Sequence, residues 1–241
     1  MQTVGGKTVL TTLEEILDPR RAAVLVVDMQ NDLCAPGGLF DKLGFDLSPV
    51  RRIIPFIQRL LAGARAARVP VVHIQMTVLP DYASWAPAYI RFHMKHLNLP
   101  PGTLECLPGT WGWQVIDELR PEPGDLTVSK WRSGGFTGTN LDLLLRGRGA
   151  ESVVICGEAT YACVESTVRD AMHLDYYTIV APECVQGFDQ DLHDAALRIM
   201  RSRIDVVSLE EILNRWRVAP RGSQEFAARM PGAGSRPVEE R

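Results

Sequence analysis

The feature that most limits what this chain can fold into is a set of six short apolar runs, rich in β-branched residues and without polar alternation. They are "AAVLVVDM" (22–29), "PVVHIQM" (70–76), "DLTVSK" (125–130), "SVVICG" (152–157), "YYTIVAPE" (176–183) and "IDVVSL" (204–209). A strand with one wet face alternates apolar and polar residues, and a strand covered on both faces does not. Helical spacing fills most of the gaps: 50–68 after the first run, 140–149 after the third, 163–174 after the fourth and 190–202 after the fifth. Strand and helix alternating in this way imply right-handed crossovers and a three-layer α/β/α sandwich around a mostly parallel sheet of about six strands. With 241 residues, 46% of them hydrophobic, the chain can bury one large core, and we place a single domain at 1–216.

Two segments stand outside the pattern. About fifty residues separate the second run from the third, and this insert (77–124) is rich in Pro, Gly, Trp and Tyr, as lids and binding segments are. The Gly/Pro/Arg-rich end (217–241) reads as a tail suited to packing on a neighbouring subunit.

A net charge of −3 and a pI near 6.0 provide no basic field, so neither nucleic acid nor a membrane surface is an expected partner. No apolar run approaches the roughly 18 residues of a membrane span. The N-terminus lacks a basic segment followed by an apolar one. Cys34, Cys106, Cys156, Cys163 and Cys184 are odd in number and widely spaced, with no CxxC pair. Free thiols in a reducing, cytoplasmic compartment are the expectation.

Ligands of open parallel sheets bind at the carboxyl ends of the strands. Asp28 ends the first run, Lys130 ends the third, and Cys163 follows the fourth across a short loop. If those three strands are neighbours, the side chains converge. A helix N-terminus and a nearby ammonium both favour the thiolate of Cys163. Asp28 can take the thiol proton and return it to a leaving amine, Lys130 holds the carboxylate charged, and the loop "GEATYAC" supplies N–H groups for an oxyanion. This is acyl transfer to sulfur followed by hydrolysis, and it requires no cofactor and no metal. Taken singly, Asp28 could be a turn cap, Lys130 a solvated strand end and Cys163 a small buried apolar residue; joint placement on one sheet edge favours catalysis. Cys156 and Cys184 read as buried apolar residues.

The segments "VVDMQNDLCAPGG" (26–38), "KWRSGGFTGTNLDLLLRGRG" (130–149) and "VVICGEATYACVESTVRDA" (153–171) together resemble the isochorismatase-like cysteine hydrolases, over roughly residues 15–215. That resemblance implies Asp28 as acid and base, Lys130 as electrostatic partner and Cys163 as nucleophile. It also implies a cis peptide at Glu158–Ala159, oxyanion donors at the N–H groups of Ala159 and Cys163, and a homo-oligomer, dimer or tetramer. Within the family, "PGGLFDKLGFDLS" (36–48), "PEPGDLTVSKWRSGGF" (121–136) and "CVESTVRDAMHLDYY" (163–177) look most like ureidoacrylate and biuret-type amidohydrolases, which implies a small ureido, carbamoyl or amide substrate. A different neutral amide or carbamate, and a non-catalytic binding role, are the alternatives. True isochorismatases cleave a vinyl ether and lack the cysteine. Glu158 stands where the family usually has Val or Ile, and Gly134 where a small polar residue is common; a carboxylate in the pocket loop would repel an acidic substrate.

Gln75 is an expected substrate or site ligand, and Asn31 either orients Asp28 or a substrate amide or forms a turn. Trp113, Trp131 and Tyr161 are further substrate-binding candidates, and Trp85, Tyr89 and Trp111 either wall the pocket or pack in the core. His73 reads as a core histidine. His93 and His96 could share a helix face and bind a metal, but no third ligand is evident. Nicotinamidase-like relatives hold a metal with histidines after the first strand, and "FDKLGFDLSP" (40–49) has none.

Overall fold

A computed structural model of the protein describes residues 1–97, 100 and 102–218. An antiparallel hairpin, β1 (Gln2–Val4) and β2 (Lys7–Val9), precedes the main sheet. That sheet contains β3 (Ala22–Val27), β4 (Val71–Met76), β5 (Leu126–Lys130), β6 (Ser152–Gly157), β7 (Tyr177–Val185) and β8 (Asp205–Val206). All pairings are parallel, in the order β5-β4-β3-β6-β7-β8. Short turns α1 (Leu13–Ile16), α2 (Asn31–Cys34), α3 (Leu39–Lys42) and α4 (Ser48–Arg52) lead into α5 (Ile54–Ala66). The insert holds α6 (Pro87–Leu97); then come α7 (Leu141–Gly147), α8 (Glu165–His173), α9 (Gln190–Arg201) and α10 (Leu209–Val218).

The absence of alternation in the sequence follows from a core on each face of the sheet. Val24, Val26, Val154, Cys156 and Ile179 pack on one side with Ile57, Leu60 and Leu61 of α5 and Ile212 and Trp216 of α10. Ala23, Leu25, Val27, Ile74, Val153 and Ile155 pack on the other with Leu141 and Leu145 of α7, Val168 and Ala171 of α8, and Ala196 and Met200 of α9. Each fully buried Leu or Ile contributes about 1.5–3 kcal/mol. The α5 residues recur at helical spacing, 54, 57, 60, 61 and 64, which is why this segment is a helix with one inner face. Asp189 caps α9, its Oδ1 accepting from the Leu192 N–H at 2.9 Å.

Two expectations need correction. The run 204–209 forms a ladder only over Asp205–Val206, because the Leu209 N–H turns to Glu183 Oε2 at 3.0 Å and α10 begins there. The strands carrying Asp28, Lys130 and Cys163 are also not all neighbours, since β4 lies between β3 and β5. The chain runs from β3 outward to β5 and then returns to β6 beside β3, so the topological switch point lies between β3 and β6. The expected tail at 217–241 lies outside the described residues from 219 onward, and α10 itself extends to Val218. Among the described residues, no helix is long and apolar enough to cross a membrane.

Candidate active site

Asp28, directly after β3, has a φ of +55°, a left-handed conformation that Asp tolerates better than most residues. This turns its carboxylate sideways over β4, where Oδ1 accepts the Met76 N–H at 2.9 Å. Lys130 closes β5 in register with Met76. Its long stem spans the intervening strand, and Nζ lies 2.8 Å from Asp28 Oδ2. The same ammonium donates to Arg132 O at 3.0 Å and to Cys163 Sγ at 3.3 Å, with Met76 Sδ a more distant acceptor at 4.0 Å, so none of its three N–H groups lacks an acceptor. Lys130 is fully buried and Asp28 is 1% exposed. An unpaired charge there would be costly, and pairing is what makes both tolerable.

Cys163 sits in a π-helical turn (Thr160–Val164) that runs straight into α8. Two hydroxyls fix this turn. Thr167 Oγ1 donates to Cys163 O at 2.7 Å and accepts the Gly135 N–H at 3.0 Å, tying the turn to the loop after Lys130. Thr160 Oγ1 lies 2.8 Å from His193 Nδ1 of α9. Gly157, where β6 ends, has a φ of +117°, and a Cβ there would fall 2.1 Å from Val27 O. Only glycine lets the cysteine loop lie this close to the strand that carries Asp28. The Glu158–Ala159 peptide is cis, and among the described residues the Ala159 N–H has no acceptor.

The electrostatics correct one expectation. Burial is the largest influence on Lys130 and works against its charge, but the neighbouring Asp28 and Cys163 outweigh it, so the ammonium is held above its ordinary range. Burial pushes the Cys163 thiol well up, Lys130 opposes this, and Asp28 and Glu158 add to it. The resting site is therefore a thiol beside an ion pair and within hydrogen-bond reach of Asp28, not a preformed thiolate. Glu158, 4% exposed, is likewise pushed well up by burial and by Asp28, with Lys130 opposing, which favours its neutral acid form over the repelling carboxylate expected.

The remaining candidates divide. The Asn31 side-chain amide donates to Trp111 O at 2.8 Å and that of Gln75 to Trp113 O at 2.9 Å. Gln30 donates to Trp113 O at 2.8 Å and to Met76 O at 3.0 Å. These amides fasten the insert across the sheet edge, each of Asn31 and Gln75 using one of its two N–H donors for the purpose. The Trp113 indole N–H donates to Thr77 Oγ1 at 3.0 Å. Tyr161 packs on Gly187, where a Cβ would lie 2.4 Å from its ring. Trp131 is half-buried beside Lys130, and Trp111 is exposed.

Tyr89 of α6 meets Ser133 Oγ at 3.3 Å and the Arg132 guanidinium over its ring at 4.7 Å, and both Lys130 and Cys163 act on its hydroxyl. Trp85 is buried against Tyr82, Tyr89 and His93. His93 Nε2 lies 3.0 Å from Glu105 Oε2 in a buried pair, and the side chain of His96 lies outside the described part. Among the described residues, no group of three or more His, Cys, Asp or Glu could hold a metal. His73 is buried, with its ring 3.4 Å from Asp125, and burial lowers its pKa. Glu105, a lone acid in a Pro/Gly-rich insert, gave no sequence signal, yet it is 3% exposed and acts on Glu158.

Against this geometry, the family model for the isochorismatase domain matches residues 22–211. The chain belongs to the isochorismatase family. It is 36% identical over 239 residues to the ureidoacrylate amidohydrolase RutB of Methylobacterium radiotolerans, covering 91% of this chain and 90% of that protein. To the protein of the same name from Agrobacterium fabrum it is 39% identical over 182 residues, covering 73% and 80%. Among solved structures it is similar to a cysteine hydrolase from Pseudomonas syringae pv. phaseolicola, at TM-score 0.72 and 28% identity over 83% of this chain and 94% of that one. It is also similar to N-carbamoylsarcosine amidase from Thermoplasma acidophilum, at TM-score 0.61 and 28% identity over 79% and 97%. An isochorismatase-like hydrolase thus carries its buried Asp28–Lys130 pair and its half-buried Cys163 at the switch point of the sheet.

Proposed function

We propose that this protein is a cysteine amidohydrolase that cleaves a C–N bond of a small ureido or carbamoyl compound, with a ureidoacrylate-like substrate favoured. The observation that carries the reading is the ammonium of Lys130, 2.8 Å from Asp28 and 3.3 Å from Cys163. The relatives named as ureidoacrylate amidohydrolases support the substrate class.

In this mechanism Sγ attacks the substrate carbonyl carbon as its proton passes to Asp28, so charge never rests on an isolated thiolate. Lys130 stays protonated and offsets the charge that moves between sulfur and carboxylate. The Ala159 N–H, together with that of Cys163, receives the developing oxyanion. Asp28 then returns the proton to the departing nitrogen, leaving an S-acyl enzyme, a thiocarbamate for a ureido substrate. Water attacks that carbonyl carbon, gives its proton to Asp28, and the thiol is restored as the C–S bond breaks. Every step uses side chains and backbone N–H groups of this chain, and water.

The test is ammonia release from ureidoacrylate, biuret, maleamate and nicotinamide by wild type and Cys163→Ala. Turnover of a ureido or carbamoyl compound by wild type and none by the variant is expected. Undiminished turnover by Cys163→Ala would remove the covalent mechanism.

A further inference from the structure

Glu158 is the titratable group at this sheet edge that the mechanism leaves unused. It follows Gly157 at the end of β6, and its N–H donates to Val27 O at 3.1 Å, one residue before Asp28. Its side chain is 4% exposed, and among the described residues its carboxyl has no hydrogen-bond or ion-pair partner. Its two oxygens are not among the fully enclosed side-chain atoms that lack a partner, so they keep contact with solvent and an incoming group can reach them. The charged groups acting on it are Asp28, Lys130 and Glu105, and it acts in turn on the thiols of Cys34, Cys106 and Cys163 and on the Tyr161 hydroxyl. Its low exposure and its backbone tie beside Asp28 place it in the loop that joins β6 to the Cys163 turn.

We propose that Glu158 is a specificity-determining residue whose carboxyl pairs with the uncharged N–H and C=O edge of a ureido or carbamoyl group. This rests on the amidohydrolase reading and adds which amides are preferred. A carboxylic acid presents one O–H donor and one carbonyl acceptor side by side, the complement of an amide edge. Burial keeps Glu158 in that acid form, since its pKa lies well above the carboxylate range. A carboxylate would offer acceptors alone. A ureido group still has an N–H on the nitrogen that stays when the other departs, whereas a simple amide such as maleamate has a carbon there. Sites that read an N–H by hydrogen bonding reject analogues lacking it.

The experiment compares kcat/KM for ureidoacrylate or biuret with kcat/KM for maleamate in wild type, Glu158→Gln and Glu158→Val, with thermal melting to verify folding. The expected result is a ureido preference kept in Glu158→Gln, which retains a donor and an acceptor, and reduced by roughly tenfold or more in Glu158→Val. Ureido kcat/KM in wild type should also fall at alkaline pH as the acid ionises, and Glu158→Gln should lack that limb. An unchanged ratio in Glu158→Val, or a wild type with no ureido preference, overturns the proposal. So does an equal loss on all substrates in both variants, which would mark a purely structural role. Loss of the mechanism would appear separately, as turnover surviving in Cys163→Ala.

Discussion

Lys130 reaches Asp28 across an entire intervening strand, Nζ to Oδ2 at 2.8 Å, with both side chains withdrawn from solvent. Removing one partner from such a pair leaves the other buried and uncompensated, at about 3–5 kcal/mol. Lys130→Met and Asp28→Asn should each destabilise the fold by amounts of that order in urea unfolding, and the double variant by much less than their sum. Strict additivity would mean that the two charges do not depend on each other.

Glu158 gives a pH dependence of stability. Its folded pKa is raised above the unfolded value, so between the two the native state binds more protons and stability falls as pH rises. Each tenfold difference in proton affinity between the folded and unfolded states is worth about 1.4 kcal/mol. Glu158→Gln should therefore be more stable than wild type at neutral pH, with the gap widening from the ordinary glutamate range upward. A gap independent of pH would show an ionised Glu158.

Cys163 is half-buried, while Cys34, Cys106, Cys156 and Cys184 are buried. Iodoacetamide should label Cys163 first. Because burial holds it as a thiol, the rate should still be climbing through about pH 9. A plateau near neutrality would reveal a resting thiolate.

Two glycines make contrasting predictions. A Cβ at Gly157 meets the backbone of Val27 at 2.1 Å at a strongly positive φ, so Gly157→Ala should cost roughly 3 kcal/mol or more. At Gly134 the same 2.1 Å clash is with the Asp170 carboxylate, a side chain that can swing aside. Gly134→Ser should be mild in thermal melting and milder still with Asp170→Ala. Equal costs at the two positions would contradict this contrast.

The layered sheet was legible because β3, β4 and β6 are buried on both faces, which erases alternation in the sequence. Strand order was not legible. A run of apolar residues does not say which strand lies beside it, and the position of β4 between Asp28 and Lys130 emerges only from pairing. Cys163, Lys130 and Asp28 stood out because each follows an apolar run at the same end of the sheet. The anchoring bonds of Asn31 and Gln75 to the insert were not legible, since an amide near a strand end carries no mark of the backbone carbonyl it will meet. Protonation was also hidden: the acid form of Glu158 and the thiol form of Cys163 depend on burial and on Asp28, which no local pattern encodes. The β1–β2 hairpin escaped notice because its strands are three residues long and exposed.

The most direct measurement is intact-protein and peptide mass spectrometry of acid-quenched reactions with a ureido substrate. The account predicts a carbamoyl-type adduct on the peptide containing Cys163, formed during turnover, discharged when substrate is exhausted, and absent in Cys163→Ala. Steady turnover with no adduct at any quench time, or an adduct on another residue, would contradict it.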